Sequence, residues 1–224
     1  MRILERFSPG ADMMTSKKEC GCESHIKKSV TLPDGFTYYY FQCPKCSRVE
    51  YPLRQAQALL DYSKDHIFMF VEDWILAWMA TSDTNEYAPI PGITMIQKQM
   101  VIIIREFAPE HDIPSENPGF KAYKFGPYTE RIDRALDVLY KSGYVNSKGR
   151  INSNNERFYL TEEGVAKGKA ILSKFDQGII DDLLALKHDL QQLTLQGIET
   201  YVYSKYPEYT DKSEIFERVL HRKR

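Results

Sequence analysis

The chain has 224 residues, 42% of them hydrophobic, with 15 Tyr, 11 Phe and a formal net charge of −1. This composition excludes an intrinsically disordered chain, and the near-zero net charge singles out no special partner. The length suits one larger domain or two small ones.

The charge is unevenly spread: net +3 over residues 1–60, −7 over 61–120, +5 over 121–174 and −2 over 175–224. The longest apolar run, Ile67 to Ala80, is broken by Glu72 and Asp73 and falls short of the roughly 18 residues a membrane helix needs. Residues 1–10 are charged throughout and lack the apolar stretch of a secretory signal. The expected compartment is therefore the cytoplasm, with no membrane partner. In a reducing compartment, close cysteine pairs read as metal ligands before disulfides.

In chain order, residues 1–16 read as a flexible arm and 17–52 as a zinc ribbon. The ribbon's cysteines follow the pattern Cys20-Gly21-Cys22, twenty residues, then Cys43-Pro44-Lys45-Cys46. A Cys-x-x-Cys turn lets two thiolates face one ion, and a hairpin of that length brings two such turns together around tetrahedral zinc. The first pair, with one intervening residue, is the less usual, and His25 is the alternative ligand should Cys20 or Cys22 fall short. A redox pair is disfavoured because no βαβ pattern surrounds Cys43 and Cys46. Four protein ligands leave no open position, so the single zinc is expected to be structural. Two β-rich runs, Lys27–Leu32 and Thr37–Phe41, flank Pro33-Asp34-Gly35 and read as a hairpin, and Arg48–Tyr51 offers a third strand.

Residues 53–91 read as a helical connector, in which Trp74 and Trp78 are expected to anchor the ribbon to the main domain. Residues 92–215 read as a winged-helix domain with C-terminal helices, and 216–224 as a basic tail. Thr94 is the expected cap of a helix through Phe107, with Ile96, Met100, Ile103, Ile104 and Phe107 inward. Residues 109–118 read as an acidic loop. A helix over Glu130–Ser142 has Ile132, Ala135, Leu136 and Leu139 on one stripe and Gly143 as its stop. A strand at Tyr144–Asn146, a polar turn, a return strand at Arg157–Leu160 and a helix capped by Thr161 follow; two more helices run near Gln177–Leu193 and Leu195–Lys205. The expected class is α+β, mainly α: a zinc-ribbon β-hairpin followed by a helical winged helix-turn-helix domain.

In that arrangement the helix at 130–142 occupies the recognition position, with Arg131, Arg134 and Lys141 outward. Lys148, Arg150 and Arg157 form a basic wing. These six are the candidate contacts to duplex DNA, although Glu130, Asp133 and Asp137 share the helix face and repel phosphate.

Three stretches resemble one known family. Phe125-Gly126-Pro127-Tyr128-Thr129, the pair Leu136 and Leu139 with Gly143-Tyr144-Val145, and Phe158-Tyr159-Leu160-Thr161-Glu162-Glu163-Gly164 are similar to the phage-associated, Panacea-type antitoxins and their prokaryotic relatives. Met95–Met100 is similar to the opening helix of that domain and Ile198–Pro207 to its closing helix, so the resemblance spans roughly 92–215. The chain adds a ribbon, a helical insert and an acidic loop in front of Phe120. The resemblance implies a helical winged-helix scaffold without catalysis, working through protein and DNA contacts.

No Gly-rich phosphate loop, His-Glu-x-x-His or Gly-x-Ser-x-Gly motif is present, so no enzymatic activity is expected. Two function classes remain. One is a DNA-binding regulator or antitoxin-like repressor with a structural zinc, as a homodimer in the usual manner of such regulators. The other is a protein-binding adaptor or toxin-neutralising subunit without direct DNA contact.

Overall fold

The computed structural model describes residues 22, 24–84, 86–150, 155–216 and 219. The arm at 1–16, Cys20 and most of the basic tail lie outside the described residues. The architecture is α+β, about half helical, with small antiparallel sheets. No helix among the described residues is long and apolar enough to cross a membrane.

Strand β1 (Ile26–Thr31) pairs antiparallel with β2 (Thr37–Gln42) in the register Thr31↔Thr37 to Ile26↔Gln42. The turn closes on Asp34, whose Oδ1 accepts from the Phe36 N–H at 3.0 Å, with Gly35 at φ 89°. Strand β3 (Val49–Glu50) adds to the far edge of β2. Alternation along β2 turns Tyr38 and Tyr40 inward. Helix α1 (Leu53–Asp65) covers them with Ala56, Leu59 and Leu60, and Phe68 and Phe70 complete this smaller core. The segment 53–91 is thus no uniform connector, because α1 belongs to the core of the first sheet.

Helix α2 (Val71–Ala80) belongs to the larger core, and nine of its ten residues are buried. A helix apolar all round is a central one. Trp74 and Trp78 are 0% and 1% exposed in that larger core. The Trp74 Nε1–H donates to Ser115 Oγ and its ring lies beside Phe107 and Phe175, while the Trp78 Nε1–H donates to Gln99.

The joint between the two cores is the loop at 113–119. The Met69 N–H donates to the Pro114 carbonyl at 2.8 Å and the Met69 carbonyl accepts from the Glu116 N–H at 2.9 Å, and Asn117 contacts the hydroxyls of Tyr40 and Tyr51. Gly119, at φ +72°, lies so close to the first sheet that a Cβ there would stand 2.4 Å from the Ser47 carbonyl.

Helix α3 (Gly92–Ile102) starts before Thr94, with Pro91 at its N-cap. It widens into a π-helical stretch (Ile103–Phe107) and ends in the short α4 (Ala108–Glu110). The five inward residues expected of it are all buried. A short hairpin follows, β5 (Lys121–Tyr123) and β6 (Gly126–Tyr128).

Helix α5 (Glu130–Lys141) is capped by Thr129, whose Oγ1 accepts from the Arg131 N–H at 3.1 Å, and it buries Ile132, Ala135, Leu136 and Leu139. Strands β7 (Val145–Lys148) and β8 (Arg157–Leu160) pair antiparallel, and β4 (Ile90–Pro91) joins the other edge of β8. Thr161 caps α6 (Glu162–Leu172). Gly168 lets α6 press against α2; a Cβ there would stand 2.4 Å from that of Ala80.

Helices α7 (Gln177–Gln191) and α8 (Leu195–Lys205) finish the fold. From α7 the buried Lys187 ammonium donates to the carbonyls of Trp78, Met79 and Thr81 at 2.7, 3.2 and 2.7 Å. It thereby satisfies carbonyls that the end of α2 leaves without intrahelical donors.

Candidate metal centre and charged faces

Between β2 and β3 the chain makes a tight turn. The Ser47 N–H donates to the Cys43 carbonyl and the Cys43 N–H to that of Arg48, both at 2.9 Å, with Ser47 in the left-handed region at φ 58°. This turn brings Cys43 and Cys46 to one side. Cys22 enters from the start of β1, whose pairing with β2 carries it to the same end of the sheet. The three Sγ atoms lie within 4.8 Å of one another. Tetrahedral zinc–thiolate bonds of about 2.3 Å set sulfurs roughly 3.8 Å apart, so this donor set fits an ion with little movement.

Cys43 is buried. Burial alone pushes its thiol up, but the backbone amides of Cys46 and Lys45 and the thiols of Cys46 and Cys22 outweigh it and bring it down to about 6. A site that prefers thiolate is one prepared for a cation. Cys20, the expected fourth ligand, lies outside the described residues. His25 is not in the thiol cluster; its Nδ1 lies 3.5 Å from a carboxylate oxygen of Glu50.

The six candidate DNA contacts divide. Arg131 is not outward. Its Nη1 and Nη2 donate to the two oxygens of Glu72 at 2.9 and 2.6 Å, and its Nε and Nη2 to those of Glu116 at 2.6 and 2.9 Å. The side chains of Glu72 and Glu116 are 0% and 2% exposed. Burial opposes the Arg131 charge, but these carboxylates outweigh it and hold the guanidinium firmly protonated. Burial and the charge of Glu72 push Glu116 up, against the pull of Arg131. A guanidinium used in this way reaches no phosphate, and the reason is tertiary: Glu72 and Glu116 arrive from α2 and from the loop at 113–119.

Arg134 stays at the surface with Nη2 3.7 Å from Glu130, a carboxylate that Lys121 and Arg48 also approach, at 3.2 and 3.8 Å. Lys141 pairs with Asp137 at 2.6 Å. Lys148 and Arg157 are cross-strand partners, and Arg150 is exposed two residues beyond Lys148. Lys148 and Arg157 therefore stand across one strand pair, and Arg134 and Lys141 of α5 stand beside carboxylates. The polar tip at 151–154 lies outside the described residues.

Helix α5 also borders, with Asp133, Asp137 and Tyr140, a groove of about 830 Å³ bounded by α3, the β5–β6 hairpin and the base of β7 and β8. Sequence reasoning missed this groove. Its hairpin consists of three-residue strands containing Pro127, too short for period-2 alternation to register.

No protein-family model matches this chain, and no curated protein matches it.

Proposed function

We propose that the chain is a non-catalytic, antitoxin-like winged-helix protein with a zinc ribbon, acting by binding a partner protein. One observation carries the reading. The surface of α5 that a winged helix would turn to DNA carries Glu130, Asp133 and Asp137, its Arg131 is committed to a buried ion cluster, and its groove is lined by aromatic side chains. Phosphate binding requires uncommitted cations, and this face lacks the excess. The order helix, two strands, helix at 130–172 supports the winged-helix assignment, and the convergent thiols, with Cys20 as fourth ligand, support the structural zinc. The resemblance to Panacea-type antitoxins makes a toxin the natural partner.

A second reading, a DNA-binding regulator, is favoured by the pairing of Lys148 and Arg157 with Arg150 nearby. The two separate cleanly. Co-expression with the product of the neighbouring gene should yield a stoichiometric complex on gel filtration, while a fluorescent duplex shows no binding at low salt. Duplex binding with a steep salt dependence, lost in Arg150→Glu plus Arg157→Glu, would overturn the first reading in favour of the second.

A further inference from the structure

Seven large hydrophobic side chains stand exposed on the described surface, and three of them, Tyr123, Phe125 and Tyr140, line the groove beside α5. They are 43%, 45% and 57% exposed, and they come from the β5–β6 hairpin and from α5. Exposed apolar side chains scattered singly need no explanation, but three lining one concavity do. Aromatic rings bury large area at little entropic cost and serve as anchors in interfaces.

The charges of the lining are as particular. The lining holds Asp133, Asp137 and the buried Glu156 and one cation, Lys98, a net of −2; the Asp133 oxygens accept from the Gln97 amide and the Tyr128 hydroxyl, both neutral, so its charge is kept. Lys141, outside the lining, pairs with Asp137 one turn further along α5. Such a surface repels a phosphate backbone and attracts cationic groups.

Lys98 itself is 2% exposed, yet it lines the groove. Its Nζ donates to the Pro127 carbonyl at 3.1 Å, the single hydrogen-bond acceptor it reaches among the described residues. An ammonium carries three donors, so this buried group retains capacity for an acceptor entering from the groove. Burial brings the Lys98 ammonium down to about 8, and the neighbouring Glu199 carboxylate only partly opposes this, so the group is still mostly charged near pH 7. A main-chain carbonyl fits such a donor without bringing a second anion into an acidic surface.

We infer that this groove docks a peptide segment of the partner protein, one bearing large apolar side chains flanked by Lys or Arg. The apolar side chains pack against Tyr123, Phe125 and Tyr140, the flanking cations face Asp133 and Asp137, and Lys98 donates to a carbonyl of the segment's backbone. The inference rests on the partner-binding reading and adds the surface and its chemistry.

The test uses the full chain and two labelled peptides, Lys-Arg-Phe-Leu-Phe-Arg-Lys and the same apolar centre flanked by Glu, read by fluorescence anisotropy. The basic peptide should bind at least tenfold tighter than the acidic one. Phe125→Ser plus Tyr140→Ser, which leave the charge of the groove unchanged, should abolish that binding with melting temperature and metal content unchanged, because both side chains are exposed. Should the pair disturb the fold, Tyr140→Ser alone carries the measurement. Lys98→Met should weaken binding severalfold. Equal affinity for the two peptides, no binding of the basic one, or binding that survives the aromatic substitutions overturns the inference. A co-expressed partner complex that survives the double substitution also sinks the groove but leaves the partner-binding reading standing. If no complex forms at all, that reading fails, and the peptide measurement still decides the groove.

Discussion

Replacing Arg131 with Met removes the one cation of a buried three-residue cluster and leaves Glu72 and Glu116 facing each other. Four hydrogen bonds of 2.6–2.9 Å disappear, and both carboxylates are almost wholly shielded from water. Breaking a buried ion pair from one side costs about 3–5 kcal/mol, because the remaining charge is uncompensated. Against a total stability on the order of 5–15 kcal/mol, that is a large fraction. At about 2–4 °C per kcal/mol for a chain of this size, the melting temperature should fall by on the order of 10 °C.

The loss depends on pH, with a definite sign. Burial already pushes Glu116 up in the parent protein, and losing Arg131 removes the influence that opposes it. The folded variant then binds protons more tightly than its unfolded chain in the window above the ordinary carboxyl value of 4.5. Stability from these groups falls as pH rises through that window, so the deficit is smallest near pH 5 and largest at neutral pH. Urea melts of variant and parent at both pH values measure it, and taking the difference cancels pH effects common to both. Adding Glu116→Gln to Arg131→Met should recover part of the loss. An Arg131→Met protein within about 1 kcal/mol of the parent at pH 7.5, with no pH dependence of the difference, would refute the buried-cluster argument and return Arg131 to the candidate DNA contacts.

Two further substitutions test other parts of the fold. Cys43→Ser should abolish metal uptake, measured by native mass spectrometry of protein loaded with zinc, and raise hydrogen exchange in β1, β2 and α1 while amides of α2, α3 and α6 stay protected; uniform exchange throughout would mean that the two cores fold as one. Lys187→Met deprives the Trp78, Met79 and Thr81 carbonyls of their donor and should cost about 1–3 kcal/mol in thermal melts near pH 7. Burial brings Lys187 down to about 8 from 10.5, so between those values the unfolded chain holds the proton that the folded chain has released. Stability from this group therefore rises with pH across that window, and a parent-minus-variant difference that stays flat from pH 8 to 10.5 would contradict the burial of its charge.

Much of the local structure was legible in the residues. Pro33-Asp34-Gly35 marks the β1–β2 turn because an Asx turn and a positive φ favour those residues, and the cap Thr161 stands where helical periodicity begins. The spacing of Cys22, Cys43 and Cys46 announced thiols that could converge, because a hairpin of known length returns the chain to its start. Other elements gave no such signal. Strands β4, β5 and β6 are two or three residues long and exist only because β8, or each other, stands opposite.

The sequence by itself therefore determined what depends on neighbours in the chain: turns, caps, helical stripes and the return of Cys43 and Cys46 toward Cys22. Tertiary structure alone decided which side each element shows. Arg131 looked like a surface cation on an amphipathic helix, and it is internal because Glu72 lies 59 positions away in sequence and bonding distance away in space. Trp74 and Trp78 looked like a link to the ribbon, and they lie at the centre of the larger core because Gly168 lets α6 close over α2. The aromatic groove beside α5 has the same origin. Its walls come from α3, a hairpin and the base of two strands, and no window of sequence contains them together.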